Sequence, residues 1–583
     1  MSFSYNHNPN ITPSWLLEFN KQNNESDKDI KQDNERDKDI KQDNQEIQDN
    51  HEQKGGVKGK RKWTTLTHNG VLFPPEYIKH DTPILYHNEE IILEKRAEEY
   101  ATLYAKYIET EYIKSSVFRN NFWKDWRKIL GKDHKIKSLE GCDFNKIHDY
   151  LLEQKEKKKE IDTEEKEKKE KGEEKYKTAI VDGKEQPVGN FRIEPPGIFI
   201  GRGCNPKLGK IKRRIYPEDI IINIGKGEPI PEPLPGHHWR AIIHDHKVEW
   251  LASWRDNITG KTKYVWLGAH SEIRGKSDML KFDIARKLKK KIKKIRDANE
   301  EELKSKIPFE RQIATALYFI DKFALRVGNE KGEDETDTVG VTSLRVEHIV
   351  LLEDNKIELD FLSKDSVRYK RELTVDHQVY KNLEEFTKGK NDDAKLFDEI
   401  DPTDVNRYLR SFMPSLTAKV FRTYNASHLF QKELDKISKK YDTYEEDDKI
   451  NILLDEFNKA NAKVAMLCNH QKNVSKSNNK QIDNINSALK KAKTKLQKLK
   501  KSSKKNQEKI KVAEDKVKKL KAKKELKLEL KNISLGTSKI NYIDPRITVA
   551  FMTKHDLPID KIFSKTLQEK FKWALETDQD YSF

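Results

Sequence analysis

A tyrosine near the end of the chain, Tyr542, lies in Ser538-Lys-Ile-Asn-Tyr-Ile-Asp-Pro-Arg-Ile-Thr548, directly after about fifty residues dominated by lysine. A tyrosine hydroxyl titrates near ~10, so only about one molecule in a thousand is phenolate at neutral pH. To serve as a nucleophile it needs activating neighbours. Residues of the right types recur upstream, each in its own short motif: Arg326 in Ala324-Leu-Arg-Val-Gly-Asn-Glu-Lys331, Lys364 in Phe361-Leu-Ser-Lys-Asp-Ser366, Arg422 in Lys419-Val-Phe-Arg-Thr-Tyr-Asn425 and His470 in Leu467-Cys-Asn-His470. In-line attack on a phosphodiester requires such a set. Two guanidiniums can fork onto the non-bridging oxygens and an imidazole can donate to one of them. Lys364 fits the remaining role, the general acid that protonates the leaving 5′ oxygen. Singly, each of these residues is an ordinary surface charge or a hydrogen-bonded core histidine. The reading rests on the set.

The elements that must position them follow from periodicity. Ile313, Leu317, Ile320 and Ala324 share one face and predict a helix over about Arg311 to Val327, stopped by Gly328, with Arg326 in its last turn where a cation suits the helix dipole. A long basic helix is expected to open near Asp278. Thr338 to Leu352 and Lys356 to Tyr369 read as β-runs; Ile357, Leu359 and Phe361 alternate toward one face, and Lys364 falls at a turn or strand tip. Arg422 stands near a helix start, and Ile450 to Cys468 forms an amphipathic helix leading to His470. Ile482, Ile485, Leu489, Ala492, Leu496 and Leu499, then Ile510, Ala513, Val517 and Leu520, give a two-helix antiparallel coiled coil turning at Ser502-Ser503 and Asn506. From Ala488 to Lys524 it carries 17 Lys against 3 acids, a charge suited to lie near phosphates.

Upstream, helices are expected around 89 to 109 and 116 to 130, and an exposed Glu/Lys helix over 145 to 176. Strands follow near Pro195 to Pro206, Trp239 to Trp254 and Lys263 to Leu267. The glycines flanking Arg202 allow its backbone and guanidinium a close approach to a groove or phosphate.

The formal charge is +17 over 583 residues, yet residues 1 to 53 hold 12 Asp/Glu against 6 Lys/Arg, so the remainder carries +23. A polyanionic partner is implied. Basic residues interleaved with aromatics over hundreds of positions fit nucleic acid better than a membrane surface. Residues 1 to about 53 include a near-perfect tandem decapeptide, Glu25 to Asn34 and Glu35 to Asn44, and are read as disordered. The basic cluster Lys54 to Lys62 is a candidate nuclear address or phosphate contact. Cys142, Cys204 and Cys468 offer neither a disulfide framework nor metal-ligand spacing. No apolar run approaches ~18 residues and no secretory signal opens the chain, so a soluble intracellular protein is expected.

Together these five motifs, in this order, resemble the eukaryotic type IB DNA topoisomerases over residues 63 to 583. The resemblance implies that Tyr542 attacks DNA to leave a 3′-phosphotyrosine and a free 5′-hydroxyl, that Arg326, Arg422 and His470 hold the scissile phosphate, and that Lys364 is the acid. Arg202, Lys263, Asp365 and Asn541 are the expected DNA contacts. It implies a multidomain α+β fold: a DNA-encircling clamp of cap and core subdomains, a mostly helical catalytic subdomain with a small β-sheet, an antiparallel coiled-coil linker and a short helical C-terminal domain. The corresponding segments are a polar tail at 1 to 62, an N-terminal core and cap region at 63 to 270, the catalytic core at 271 to 472, the linker at 473 to 531 and the C-terminal domain at 532 to 583. A monomer clamped around double-stranded DNA in the nucleus is expected, with no membrane contact and no cofactor. Transesterification retains the bond energy, and no Gly-x-x-x-x-Gly-Lys-Ser/Thr loop is present. Arg202, Asp365 and Asn541 match the family's camptothecin contacts. Two departures are Ile200, where the family usually has another Arg, and a short linker. A tyrosine recombinase shares the chemistry but not the lysine hairpin between His470 and Tyr542. A non-catalytic architectural DNA binder would explain the charge but not the motifs.

Overall fold

Apolar residues in this chain come as short alternating runs in its first part and as long helical stripes thereafter, and a computed structural model shows both patterns realised. It describes residues 61–157, 171–330, 335–442, 444, 449–471, 476–501 and 507–583. The N-terminal repeat, most of the basic cluster, the middle of the expected 145 to 176 helix and the hairpin turn lie outside the described residues. Contacts divide the chain into two compact units, with the boundary between Ser277 and Asp278; residues 335–337 belong with the first unit.

In the first unit, β1 (Leu66–His68), β2 (Ile84–Tyr86) and β3 (Glu89–Ile91) precede α1 (Lys95–Ala105) and α2 (Ser116–Leu130). Then come β4 (Cys142–Asp143), α3 (Asn145–Lys157), β5 (Thr178–Val181), β6 (Lys184–Pro187), β7 (Gly197–Ile198) and β8 (Ile211–Lys212). β9 (Ile220–Asn223), β10 (Ala241–Ile243), β11 (Trp250–Arg255) and β12 (Thr262–Trp266) complete it. The sheets have orders β1-β5-β6, β3-β2-β4, β7-β8 and β10-β9-β11-β12, with β10 parallel to β9. Phe118, Phe122 and Trp126, four residues apart on α2, are fully buried, because that spacing puts all three on one face. The helix expected from residue 89 starts instead at Lys95. His87 and Asn88 adopt left-handed φ of 49° and 68°, turning 84–91 into a hairpin, and asparagine tolerates that backbone.

The second unit contains most of α4 (Glu272–Glu302), then α5 (Pro308–Lys322), β13 (Ile349–Leu352), β14 (Lys356–Ser363), β15 (Val367–Thr374), α6 (His377–Thr387) and α7 (Pro402–Phe412). α8 (Ala418–Tyr441), α9 (Lys449–Leu467), α10 (Lys476–Lys501), α11 (Gln507–Glu529), α12 (Leu535–Asn541), α13 (Pro545–Lys554) and α14 (Lys565–Lys570) follow. β13, β14 and β15 form an antiparallel sheet in that order, and Ile357, Leu359 and Phe361 face the core as their alternation requires. α10 and α11 lie side by side, joined by a Lys500–Glu514 ion pair. Leu489, Ala492 and Ala513 are buried between them, on the seam that the heptad spacing marks.

In this unit three expectations are corrected. α4 opens at Glu272, ahead of Asp278, and α5 ends at Lys322 rather than Val327. Arg326 is therefore not in a helical last turn. Apolar residues continue past the helix because the loop is itself core: Ala324 is fully buried at φ 50° and Leu325 is 6% exposed. Periodicity cannot separate a buried loop from a buried helix end. Similarly, Thr338 to His348 holds short 3-10 turns rather than a strand.

The Arg326 loop is fixed by two glycines. Gly328 adopts φ +95°, and a Cβ on Gly340 would lie 2.4 Å from Gly328 Cα and 2.8 Å from the Arg326 carbonyl oxygen. That oxygen accepts from Val341 N at 2.9 Å, and Val327 O accepts from Thr342 N at 2.7 Å. A side chain would push these backbones apart. Gly340→Ala is expected to destabilise the protein by roughly 1–3 kcal/mol, the usual range for overpacking a tight site. An unchanged urea midpoint would contradict this account of the loop.

Candidate active site

Arg422 sits one turn into α8 and is only 4% exposed. A buried cation needs partners, and it finds two backbone carbonyls: its guanidinium donates to Ala324 O and, at 2.9 Å, to Cys468 O. Both carbonyls lie just past helix C-termini, those of α5 and α9, where partial negative charge collects. Nε of Arg422 has no hydrogen-bond partner among the described residues.

His470 follows α9 through Asn469, whose φ of 53° is left-handed. Its own N–H donates to Ala465 O at 2.8 Å and its carbonyl accepts from Ser534 N at 2.8 Å, fixing it between α9 and the start of α12. The ring is 6% exposed, and burial, then Arg422 and Arg326, lower its pKa to about 3. The imidazole is neutral, with a single N–H. Nδ1 lies 2.7 Å from Ser538 Oγ, and Nε2 is buried without a partner among the described residues. In the tautomer in which the serine hydroxyl donates into Nδ1, the ring proton sits on Nε2, a donor left for an incoming anion.

Tyr542 is the residue on which α12 ends. Its N–H donates to Ser538 O at 2.9 Å, and its carbonyl accepts from Ser427 Oγ at 3.0 Å. The ring lies 5.1 Å from the His470 ring, and the Arg422 guanidinium carbon is 5.1 Å from its centroid. Burial alone would raise the tyrosine pKa; the guanidiniums of Arg422 and Arg326 outweigh it and hold the hydroxyl below its ordinary value. Burial, then Arg422, lowers the pKa of Arg326, and Tyr542 opposes that shift. Arg326, Arg422, His470 and Tyr542 are thus brought together from a loop, a helix start and two helix ends.

The chain beyond Tyr542 is anchored separately. Asp544, fully buried, caps α13 by accepting from Arg546 N at 3.0 Å and pairs with the Arg546 guanidinium at 2.8 Å. It also accepts from Tyr581 Oη at 3.0 Å, while Arg546 holds Asp283 of α4 at 2.8 Å.

Lys364 stands apart from the four. It is exposed on the short turn between β14 and β15, next to Asp365 at φ 68°, and makes no hydrogen bond or ion pair among the described residues. The hairpin that carries it is tied to the His470 loop, since Asn469 and Gln471 both donate to Arg368 O, at 3.4 and 3.3 Å. Asn541 is exposed at the end of α12, its amide on Thr537 O at 3.2 Å. Arg202 and Lys263 belong to the other unit. Arg202 is exposed between glycines of φ 46° and 60°, whereas Lys263 is held by Glu194 at 3.2 Å and Asp256 at 3.5 Å. Ser538, Ser427 and the Cys468 carbonyl escaped sequence reasoning. Ser538 stands four residues before Tyr542, but its ring partner is 68 residues away and no spacing announces it.

Residues 61–267 match a family model described as eukaryotic DNA topoisomerase I, DNA binding fragment, residues 270–503 match its catalytic core and residues 514–583 a C-terminal topoisomerase domain. DNA topoisomerase 1 beta of Arabidopsis thaliana is 44% identical over 90% of this chain, which spans 60% of that relative's length. DNA topoisomerase 1 of Caenorhabditis elegans is 43% identical over 90% of the chain and 68% of its own length, and that of Mus musculus 41% over 90% and 72%. Motifs, site and likeness over nearly the whole described chain agree, and the chain belongs to the eukaryotic DNA topoisomerase I family.

Proposed function

We propose that the protein relaxes supercoiled duplex DNA by cutting and resealing one strand through Tyr542. The observation that carries this reading is the convergence of two guanidiniums and an unpartnered buried His470 Nε2 on the Tyr542 ring. This is a cluster of donors for an anion beside a hydroxyl that is easier to ionise than usual. A scissile phosphate placed there has its non-bridging oxygens met by Arg326, Arg422 and His470 Nε2–H. As the Tyr542 oxygen bonds to phosphorus, its proton leaves to solvent and the P–O5′ bond breaks. Lys364, on its exposed turn, supplies the proton to the departing 5′ oxygen of a duplex bound against it. The product is a 3′-phosphotyrosine and a 5′-hydroxyl, and the same groups run the step backwards. One phosphodiester replaces another, so the scheme needs neither ATP nor a metal ion.

The remaining parts take roles that follow from charge. The first unit, with Arg202 and Lys263, and the second close as a clamp of cap and core on a duplex, as a monomer. The lysine-rich pair α10–α11 acts as a coiled-coil linker beside the rotating DNA, where its cations meet phosphates and make turnover salt-dependent. The nucleus is the expected compartment, given the basic cluster at Lys54 to Lys62.

The reading is tested by relaxation of a supercoiled plasmid carrying no recognition site, in chelator and without ATP. Wild-type protein relaxes it and Tyr542→Phe binds without nicking; dependence on a defined site would point to a recombinase instead. His470, with a pKa of about 3, remains neutral from pH 8 down to pH 5. The cleavage rate therefore has no inflexion near ~6.5, the ordinary histidine value, that belongs to this residue. An inflexion there that vanishes in His470→Gln contradicts the neutral donor, whereas loss of the donor alone slows cleavage roughly 10²- to 10³-fold at every pH. Camptothecin is expected to raise the level of covalent adduct, and Asn541→Ser to lower the drug-stabilised adduct while sparing relaxation. An adduct level indifferent to the drug would sink the assignment of Asn541 and Asp365 to a drug-contacting surface.

A further inference from the structure

Behind Arg422 the core contains an unusual pair of polar atoms. Tyr369 of β15 is 2% exposed, faces Phe361 across the sheet and stacks on it with ring centroids 5.1 Å apart. That packing accounts for the ring but not for the hydroxyl. The hydroxyl has no hydrogen-bond partner among the described residues, and neither has Arg422 Nε. Arg371 lies 5.0 Å from the centre of the tyrosine ring and its guanidinium donates to Met466 O; it is close enough to the hydroxyl to oppose the effect of burial on its pKa, as Arg422 also does, but makes no hydrogen bond of good geometry to it. Burial raises the tyrosine pKa, so the hydroxyl keeps its proton at neutral pH and can both donate and accept.

The two unpartnered atoms belong to residues that line one cavity, of about 20 Å³, together with Arg326, Gly340, Ser363 and Cys468. A water needs roughly 10–15 Å³ of such space and two to four polar partners. The cavity is of that size, and it offers a donor in Arg422 Nε and a group of either sense in Tyr369 Oη. An apolar guest would leave both atoms unsatisfied, which folded proteins avoid.

We infer that a single buried water bridges Tyr369 Oη and Arg422 Nε, and that Tyr369 is a positioning residue for the arginine that meets the scissile phosphate. Two carbonyls hold the outer nitrogens of the guanidinium, and the water holds the inner one. With all three tied, the fork cannot tilt toward the unpaired side when the phosphate arrives, and its remaining N–H groups stay aimed at the ester. Tyr369 is too buried to touch substrate itself. The catalytic consequence rests on the reading of Arg422 as a phosphate ligand; the water site does not.

Tyr369→Phe tests it, since the substitution keeps the stacked ring and removes one oxygen. In single-turnover cleavage of a duplex whose cut strand cannot be resealed, the variant is expected to be slower by roughly 5- to 30-fold, within the range of coupled neighbours. DNA affinity and the urea midpoint are expected to stay at wild-type values. In an Arg422→Lys background, which lacks Nε, the same substitution is expected to have no further effect. Cleavage by Tyr369→Phe at the wild-type rate, or an equal slowing in both backgrounds, overturns the positioning role. A high-resolution crystal structure of the wild-type protein supplies the independent arm: a water within hydrogen-bond distance of both atoms is expected, and its absence overturns the inference even if Tyr369→Phe proves unstable. Failure of wild-type protein to cleave DNA, with the water in place, would count against the proposed function alone.

Discussion

A buried guanidinium dictates the architecture of the second unit. Arg422 cannot be desolvated without acceptors, and it recruits the carbonyls that follow two helices, α5 and α9. These two bonds tie the loops that follow both helices, one with Arg326 and one with His470, to the same guanidinium. The cation then acts outward as well as inward. It suppresses protonation of His470 and, with Arg326, lowers the pKa of Tyr542 against the effect of burial. A structural bond and an electrostatic field come from the same side chain.

Around that centre the chain removes freedom from each participant by a different device. The Arg326 loop is held by a glycine pair too close for any side chain, His470 by Ser538 and by backbone bonds on both sides, and Tyr542 by Ser427 and by the Asp544–Arg546–Tyr581 cluster just beyond it. Lys364 is the exception. Its hairpin is well paired along its strands, yet the turn itself is exposed and at positive φ, suited to a group whose position is completed by substrate. In the proposed mechanism this is a division between buried donors and an exposed acid, because donors stabilise charge only if they need no rearrangement.

Much of this was legible in the sequence, and the reasons differ by residue. The heptad in 482 to 520 and the alternation of Ile357, Leu359 and Phe361 were readable because burial on one face imposes a period. The five residues proposed for the reaction could be singled out because each sits in a distinct motif, and the structure brings four of them, all but Lys364, together. Helix ends were not. The stripe of α5 runs on into a buried loop, so the sequence placed Arg326 in a helix that had already ended at Lys322. The hairpin hidden in 84–91 depended on two left-handed residues rather than on hydrophobicity. Ser538, Ser427 and Tyr369 left no local signature, since their partners are distant in the chain and set by packing alone. Lys263 shows the reverse limit: a lysine in a basic sequence is found already paired with two carboxylates.

The central claim is that Tyr542 becomes covalently joined to DNA through a 3′ phosphate. The direct measurement is to trap the complex on a duplex whose cleaved end diffuses away, denature and digest it, and locate the nucleotide-bearing residue by peptide mass spectrometry. The account predicts one modified peptide, the one containing Tyr542, linked to a 3′-phosphate and leaving a 5′-hydroxyl on the other fragment. A linkage to any other residue, or to a 5′-phosphate, would contradict it.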